Sequence, residues 1–333
     1  MPYTCRIALK MPIVSGRNKP GKIEKKGHLV LRNAIVGAVR QFFNENGFLE
    51  VETPIRLTAP APEPHIDPVA SGGSFLQASP ELHMKRLLCA GYDRIFQICK
   101  CFRDKERGRL HLPEFTMLEW YVKDADYHFL MDQTAALVRH VSSAVLGGIR
   151  IPCNDHVIDL AGPWRKIRTA DAFEQYAAMS MRHALENDLF EEKLAFEVEP
   201  RLEREHPVFL YDYPLEHTPL AACVPDSPDT AQRFELYLDG VEICNGYTEM
   251  TDPDIQRQRF NEVITARRRR KQPVSPLPER FLEEMGGMPD AAGCALGLDR
   301  LVMIMAGARA IDDVVPFVPE DDTPLDPPKH AIR

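Results

Sequence analysis

Apolar residues recur at helical spacing near the start of the chain. Leu31, Ile35 and Ala38 are three or four positions apart, which is typical of one face of an amphipathic helix, and the pattern runs from residue 28 to 46. Asn46-Gly47 predicts the end of this helix. Ser79 is a natural N-cap for a second helix, with Pro80 at its first position. Further helices are predicted at 127–146, 254–271 and 279–285.

Alternation of apolar and polar residues within 94–121 predicts two β-strands joined by a charged loop. The alternation places Phe115, Glu119 and Tyr121 on one face of the second strand, and Arg103 follows the first strand. An Arg, an aromatic face and carboxylates together suit a charged, planar ligand such as a nucleotide. An ordinary half-buried hairpin with a solvated loop is the alternative that this stretch leaves open.

A second hairpin is predicted around Asp239-Gly240, a strong two-residue turn signal. Its expected register pairs Leu238 with Val241, Tyr237 with Glu242, and Glu235 with Cys244. Glu235 and Glu242 then lie on the same face, where two carboxylates repel each other unless a cation lies between them. Mg²⁺ with bound phosphates fits this pair. An exposed acidic strand face is the alternative.

The remaining segments are predicted from composition and turn residues. FLEVETP predicts a short strand closed by Pro54, and residues 58–75 predict an irregular loop rich in Pro and Gly. Small residues at 292–297 predict a strand that leads into an apolar helix with Arg300 near its N-terminus, an arrangement that favours phosphate. The basic run ARRRRK (266–271) predicts a solvated helix end. The expected organisation is an arm at 1–27, a main domain at 28–315 with an insertion at about 150–205 packed beside the core, and a Pro-rich acidic tail at 316–333.

Composition excludes some classes of protein. The 333 residues are 44% hydrophobic and 27% charged, with a formal net charge of −8, so bulk charge gives no reason to expect nucleic-acid binding. The sequence contains no run of 18 or more apolar residues, so a membrane span is not expected. Its N-terminal residues include no continuous apolar stretch, so secretion is not expected. The eight Cys lack a metal-ligand spacing, which favours free thiols in a reducing cytoplasm over a disulfide or zinc role.

Three stretches together resemble one family. GFLEVETP, CFRDKERGRLHLPEFTMLEWY and GCALGLDRL are similar to motifs 1, 2 and 3 of the class II aminoacyl-tRNA synthetases. SPELHMKRLL and GVEICNGYTEMTD resemble the lysine-specific branch, and the resemblance covers about 28–310 in order. It implies an α+β fold, a mostly antiparallel sheet flanked by helices, with ATP and Mg²⁺ as cofactors and a homodimer formed through motif 1.

The short N-terminal segment refines this resemblance. Lysyl-tRNA synthetases carry an anticodon-binding barrel before motif 1, whereas about 27 residues precede it in this sequence. An isolated catalytic domain resembles the elongation factor P lysine ligases, which adenylate lysine, preferably (R)-β-lysine, and transfer it to a lysine side chain of that factor. Elongation factor P is therefore the expected partner, rather than tRNA. Two alternatives remain open: a ligase for tRNA or another carrier, and a catalytically inactive regulatory paralogue.

The resemblance also implies roles for individual residues. Arg103 and Arg300 are the expected catalytic residues, and Glu235 and Glu242 are the expected Mg²⁺ ligands. The expected ATP-binding residues are Arg103, Asp104, Lys105, Glu106, Leu112, Phe115, Glu242, Ile243, Gly297 and Arg300. The expected residues around the amino acid are Ser79, Pro80, Glu81, Glu119, Tyr121, Glu249 and Ala295.

Three of these positions depart from the family pattern. Ala295 replaces the middle glycine of motif 3, so its methyl group is expected to disfavour α-lysine relative to an isomer whose amino group lies further along the chain. Lys105 stands where motif 2 usually has Glu, and Glu106 is the expected substitute for it. Leu112 stands where Asn is common. The changes at Lys105 and Leu112 fall in the loop that is expected to contact ATP.

Overall fold

A computed structural model describes residues 22–153 and 155–322 of the chain. In these ranges the α-helices are α1 (Lys22–Glu45), α2 (Glu81–Cys89), α3 (Tyr127–Leu146), α4 (Thr169–Tyr176), α5 (Met181–Glu186), α6 (Phe190–Lys193), α7 (Pro253–Arg269), α8 (Glu279–Glu284) and α9 (Leu298–Met305). No helix among them combines the length and the apolar character needed to cross a membrane.

The β-strands of the same ranges form one large sheet and two small ones. They are β1 (Leu49–Glu50), β2 (Arg56–Leu57), β3 (Ala70–Ser71), β4 (Ser74–Leu76), β5 (Arg94–Phe102), β6 (Glu114–Lys123), β7 (Arg150–Cys153), β8 (His156–Asp159), β9 (Arg165–Arg168), β10 (Val208–Pro214), β11 (Cys223–Val224), β12 (Ser227–Leu238), β13 (Val241–Thr248) and β14 (Ala291–Gly297).

The large sheet has the strand order β1-β5-β6-β14-β13-β12-β10-β9, with β11 paired to β12. Its pairs are antiparallel except for β1 with β5 and β9 with β10, which are parallel. Helices flank this sheet, so the predicted α+β architecture with a mostly antiparallel sheet is confirmed.

The main hydrophobic core lies on one face of the large sheet, beneath α1, α3 and α9. Phe43 of α1 is fully buried and stacks on Phe96 of β5, with 4.7 Å between ring centroids. Leu118 and Trp120 of β6 face the same core, as alternation requires. Burying each such side chain contributes about 1.5–3 kcal/mol. The opposite face of the sheet is therefore left for a binding site.

A second core covers the outer strands β10 and β12. It is formed by α4, α5 and α6 and by a π-helical segment, Leu194–Val198, that continues α6. Phe173 and Phe190 stack within it, with ring centroids 5.1 Å apart. These helices belong to the region predicted as an insertion at about 150–205. The same region supplies β9, which extends the large sheet, and the separate β7–β8 hairpin.

Several element predictions differ from the structure. Helix α1 begins at Lys22, not at residue 28, because Lys and Glu favour helix and Gly27 costs only about 1 kcal/mol. The predicted loop at 58–75 ends in β3 and β4, since Gly72 and Gly73 have positive φ angles and form a two-residue hairpin turn. Residues 1–21 of the predicted arm and 323–333 of the predicted tail lie outside the described residues.

The basic run at 266–271 is not wholly solvated. Arg267 is buried, and its guanidinium donates to the carbonyl oxygens of Glu63, Pro64 and Ile66 and pairs with the carboxylate of Asp67. The predicted solvated helix end is therefore wrong for Arg267. This side chain holds the loop before β3 against α7.

Candidate active site

The β12–β13 hairpin determines which side chains face the site. Asp239 and Gly240 have φ angles of 52° and 69°, as a type I′ turn requires, so the predicted turn is confirmed. Leu238 pairs with Val241 and Tyr237 with Glu242, as predicted. The register then shifts by one residue, and Glu235 pairs with Asn245. The predicted pairing of Glu235 with Cys244 is wrong because a β-bulge follows Glu242.

This bulge changes which residues of β13 face the core. Val241 and Ile243 point into the core before it, and Cys244 points there after it. A Cβ atom at Gly246 would lie 2.6 Å from the Phe234 ring, so this position also faces the core. The opposite face consequently carries Glu242 before the bulge and Asn245, Tyr247 and Glu249 after it.

A cavity of about 330 Å³ opens on the free face of the large sheet. Most of the residues predicted for the site line it: Ser79, Glu81, Arg103, Glu106, Leu112, Phe115, Glu119, Tyr121, Glu235, Glu242, Ile243, Ala295, Gly297 and Arg300. The structure does not bring Pro80, Asp104, Lys105 or Glu249 to the cavity surface. The β5–β6 ribbon with its aromatic and acidic face is thus one wall of the site, and the simple solvated hairpin is the weaker interpretation.

Arg103 and Phe115 form one end of the cavity. The Arg103 guanidinium lies over the Phe115 ring, 5.1 Å from its centroid, and 3.6 Å from the carboxylate of Glu106. Lys105 adopts a left-handed backbone conformation with φ of 61°, and its side chain is 73% exposed. Glu106, rather than Lys105, therefore turns towards the cavity, as expected for a substitute of the usual motif 2 Glu.

Arg300 belongs to the same end and lies on the first turn of α9, where the charge of Glu106 also acts on it. Its guanidinium donates to Oε2 of Glu242 at 2.9 Å and lies 2.8 Å from Nε2 of His111. Burial raises the pKa of Glu242, but the pairing with Arg300 outweighs burial and holds it below its usual value. Burial and the charge of Arg300 lower the pKa of His111, which favours a neutral imidazole.

Three carboxylates meet near the β12–β13 hairpin: Glu199, Glu235 and Glu242. Glu235 pairs with Arg233 and accepts hydrogen bonds of 2.6 Å from the hydroxyls of Tyr213 and Tyr237. Burial, followed by the charge of Glu235, raises the pKa of Glu199 to about 7. Burial and Glu242 also raise the pKa of Glu235, despite the Arg233 pairing. Glu199 and Glu235 thus lack sufficient positive charge, and together with Glu242 they form an oxygen donor set that fits a divalent cation.

The other end of the cavity is acidic and contains a buried lysine. Lys85 of α2 is 1% exposed, and its Nζ lies 2.6 Å from Oε1 of Glu81 and 2.5 Å from Oε2 of Glu249. Tyr247 donates its hydroxyl to Glu81, and its ring centroid is 5.2 Å from the Lys85 ammonium. Burial raises the pKa of Glu249 to about 8, against the opposing effect of Lys85.

Glu119 occupies the floor of this acidic end. Its carboxylate accepts hydrogen bonds from Ser79 Oγ at 2.6 Å and from the Tyr121 hydroxyl at 3.0 Å. Burial and the charge of Glu81 raise its pKa to about 8. Ala295 pairs with Glu119 on one side and with Asn245 on the other. Its methyl group therefore lies on the cavity floor between these two polar side chains.

Glu63 lies on the cavity wall, in the loop that Arg267 holds. Burial, followed by the charge of Glu81, raises its pKa to about 7. The acidic end therefore has four carboxylates, Glu63, Glu81, Glu119 and Glu249, around the ammonium of Lys85.

Sequence reasoning missed several residues of the site: Glu63, Lys85, His111, Glu199, Arg233 and Asn245. Lys85 is four residues after Glu81 on one helix, a spacing that could have indicated a pair. Arg233 is two residues before Glu235 on β12, so alternation could have placed both on one face. No local pattern indicated the others.

Comparison with known proteins places this site in a family. The model of the class II tRNA synthetases (D, K and N) matches residues 20–321, so the chain belongs to this family. The Elongation factor P--(R)-beta-lysine ligase of Pectobacterium carotovorum subsp. carotovorum (strain PC1) is 37% identical over 306 residues, which span 87% of this chain and 94% of that protein. The ligase of the same name from Salmonella gallinarum (strain 287/91 / NCTC 13346) is 36% identical over 312 residues, with the same coverage.

The Lysine--tRNA ligase 2 of Methanosarcina mazei (strain ATCC BAA-159 / DSM 3647 / Goe1 / Go1 / JCM 11833 / OCM 88) is also similar. It is 34% identical over 319 residues, which span 88% of this chain and 62% of that protein. The chain is thus a ligase of the class II synthetase family, and it covers nearly the whole length of the two Elongation factor P--(R)-beta-lysine ligases.

Proposed function

We propose that this chain activates lysine, preferentially (R)-β-lysine, with ATP and transfers the aminoacyl group to a lysine side chain of elongation factor P. One observation carries the proposal: a single cavity joins an arginine end to an acidic end. The arginine end, with Arg103 and Arg300, suits ATP. The acidic end, with four carboxylates and one ammonium, suits an amino acid that carries two positive charges.

The charge at the acidic end supports a dicationic substrate. With all four carboxylates ionised, Lys85 leaves three negative charges unbalanced. Burial and this excess of negative charge raise the pKa values of Glu63 and Glu119 at the cavity surface and of Glu249, which lies behind it. Two substrate ammonium groups would replace protons at these carboxylates. A neutral or acidic amino acid would leave the pocket short of positive charge.

The arginine end supports adenylate formation. The carboxylate of the amino acid attacks the α-phosphorus of ATP, an oxygen–phosphorus bond forms, and the bond to pyrophosphate breaks. Arg103 and Arg300 stabilise the negative charge that develops on the phosphate oxygens, and preorganised charge of this kind is usually the largest catalytic contribution. The ring of Phe115 would stack on adenine. No side chain is required as a nucleophile, because positioning brings the two reactants together.

Glu235 and Glu242 would hold Mg²⁺, with Glu199 beside them. The ion would neutralise phosphate charge when bound. Hydrogen bonds already orient the two carboxylates. Arg300 donates to Glu242, and the hydroxyls of Tyr213 and Tyr237 donate to Glu235.

The second step gives the aminoacyl group to an amine. The acceptor nitrogen attacks the aminoacyl carbonyl carbon, an amide bond forms, AMP leaves, and the ammonium proton of the acceptor goes to solvent. The two bacterial relatives, both named Elongation factor P--(R)-beta-lysine ligase, support elongation factor P as the acceptor. A cytoplasmic homodimer is part of the proposal, because the motif 1 segment with α1 is the expected dimer surface of this family.

The proposal is tested in two assays. ATP–pyrophosphate exchange with α-lysine, (R)-β-lysine and (S)-β-lysine tests activation, and we expect the highest kcat/KM with (R)-β-lysine. Transfer of the activated amino acid is then compared between elongation factor P and tRNA-Lys. Charging of tRNA with no modification of the factor would favour a lysine–tRNA ligase activity, as the name of the Methanosarcina relative indicates for that protein. Absence of exchange with every isomer would favour an inactive paralogue.

A further inference from the structure

A second group of polar side chains meets at the turn of the β12–β13 hairpin. Cys153 ends β7, His156 begins β8, and Asp239 is the first turn residue between β12 and β13. The Cys153 thiol donates to Oδ2 of Asp239 at 3.1 Å, and Nε2 of His156 lies 3.2 Å from Oδ1. The ligating atoms of all three residues lie within 4.8 Å of one another.

We propose that Cys153, His156 and Asp239 bind a divalent cation of borderline softness, Zn²⁺ above all, with water as the fourth ligand. Thiolate, imidazole and carboxylate are the ligands that Zn²⁺ takes in proteins. In a tetrahedral zinc site, nitrogen and oxygen ligands lie about 3.3 Å apart, and sulfur and oxygen ligands about 3.6 Å apart. The observed 3.2 Å from His156 to Oδ1 and 3.1 Å from Cys153 to Oδ2 are shorter than these separations by about 0.1 Å and 0.5 Å, and the Asp239 carboxylate must turn so that one oxygen serves the ion.

The histidine is already oriented as a metal ligand. Its Nδ1 lies 3.2 Å from the carboxylate of Asp155, which selects the tautomer whose Nε2 carries a lone pair. That Nε2 is buried and makes no hydrogen bond, although Oδ1 of Asp239 lies 3.2 Å away. A buried ring nitrogen without a hydrogen-bond partner, beside a thiol and a carboxylate, points to a cation.

The charges of the cluster also fit. When the metal–sulfur bond forms, the Cys153 proton is released to solvent, and the thiolate and Asp239 together offset the two charges of the cation. Arg204 holds Oδ1 of Asp239 at 2.5 Å in the structure, but its side chain is 54% exposed and is free to turn outward. Sequence reasoning placed no zinc role on the cysteines, because two of these ligands are 86 residues apart.

A bound ion would join the β7–β8 hairpin to the turn that connects β12 and β13. These strands carry Glu235 and Glu242, so the ion would fix the turn end of the hairpin that supports the proposed ATP end. The proposal concerns metal binding alone and does not depend on the proposed activity.

Cobalt substitution provides the test, without ATP or amino acid present. Protein treated with a chelator and then titrated with Co²⁺ should develop near-ultraviolet thiolate-to-cobalt absorption and visible bands of tetrahedral cobalt at one equivalent. Zn²⁺ should bleach both. Cobalt at Glu235 and Glu242 would lack the thiolate band, so the two sites are distinguishable.

Three variants complete the test. Cys153→Ser should abolish the thiolate band. Asp239→Asn should weaken Zn²⁺ binding at least tenfold while keeping the fold, because Asn suits a type I′ turn. Cys223→Ser, at a partly exposed cysteine elsewhere, is the matched control and should keep the band. Each variant is checked for native circular dichroism. Absence of the band in the folded parent protein, or its persistence in Cys153→Ser, would overturn the proposal.

Discussion

Nζ of Lys85 lies 2.5 Å from Oε2 of Glu249, and both side chains are closed off from solvent. Oε1 of Glu81 lies 2.6 Å from the same Nζ, so one buried ammonium pairs with two carboxylates. We expect Lys85→Met to destabilise the protein by about 3–5 kcal/mol, because it leaves buried carboxylates without a counterion. Chemical denaturation measures this loss.

Lys100→Met is the control for that substitution. Lys100 is 49% exposed and pairs with Glu114 at 3.4 Å, so its loss should change the free energy of unfolding by no more than about 1 kcal/mol. Equal effects of the two substitutions would contradict the importance of the buried pair.

Amino-acid binding should strengthen as the pH rises from 6 to 8. The pKa values of Glu63 and Glu119 are raised to about 7 and about 8, so these groups hold protons in the free enzyme below those values. A dicationic amino acid must displace the protons, and each coupled proton changes the affinity by up to tenfold per pH unit below the pKa. The KM for lysine should therefore fall with rising pH and level off near pH 8.

Glu119→Gln should flatten part of this profile, because the amide has no proton to release. The KM for ATP provides the internal comparison, since the acidic end does not contact phosphates in the proposed arrangement. A lysine KM that does not change with pH would refute the protonated pocket.

Ala295→Gly should raise the activity with α-lysine. The substitution removes a methyl group from the floor between Glu119 and Asn245, and one methyl group is worth about 1–3 kcal/mol in discrimination. The kcat/KM in pyrophosphate exchange is compared between α-lysine and (R)-β-lysine. Ala292→Gly is the matched control, because Ala292 lies on the same strand but faces the core. An α-lysine rate that stays constant or falls would remove Ala295 as a determinant of selectivity.

Glu242→Gln should impair the use of Mg·ATP more than amino-acid binding. The change removes a charge from the proposed metal site and weakens the hydrogen bond that holds Arg300, a loss of about 1.5–3 kcal/mol for charged partners. The KM values for Mg·ATP and for lysine are measured separately. Losses of similar size in both would argue against the metal assignment.

Arg267→Met should loosen the loop that carries Glu63. The carbonyl oxygens of Glu63, Pro64, Ile66 and Pro273 and the carboxylate of Asp67 lose their donor, at a cost of about 1–3 kcal/mol. We expect lower stability and a higher KM for lysine. Arg268→Met, at the next and exposed position, should leave both near their parent values. If Arg268→Met has the same effect as Arg267→Met, the general charge of the basic run is responsible.

Alternation and turn chemistry predicted the parts of the site that depend on local sequence. The β5–β6 ribbon brings Phe115, Glu119 and Tyr121 to one face as expected, and Asp239-Gly240 forms the expected turn. These features follow from backbone geometry over a few residues.

The rest depends on contacts that no local pattern carries. Arg267 looks like a solvated residue because its partners lie about 200 positions earlier in the chain. In the sequence, Lys85 resembles a surface residue of an amphipathic helix. Only the tertiary fold shows that it is buried and pairs with Glu249. Strict alternation along β13 would also place Glu242 and Glu249 on opposite faces, since their positions differ by an odd number.

The bulge after Glu242 removes that conflict, and it makes the alignment of the two halves of the cavity depend on one irregularity of the backbone. A regular strand of the same length, without the bulge, would turn either Glu242 or the segment from Asn245 to Glu249 into the core. Either the phosphate-binding half or the amino-acid-binding half would then lose its carboxylate. Deleting Ile243 would remove the bulge and keep both carboxylates on one face, so the bulge and the odd spacing between Glu242 and Glu249 must change together if the cavity is to keep both halves.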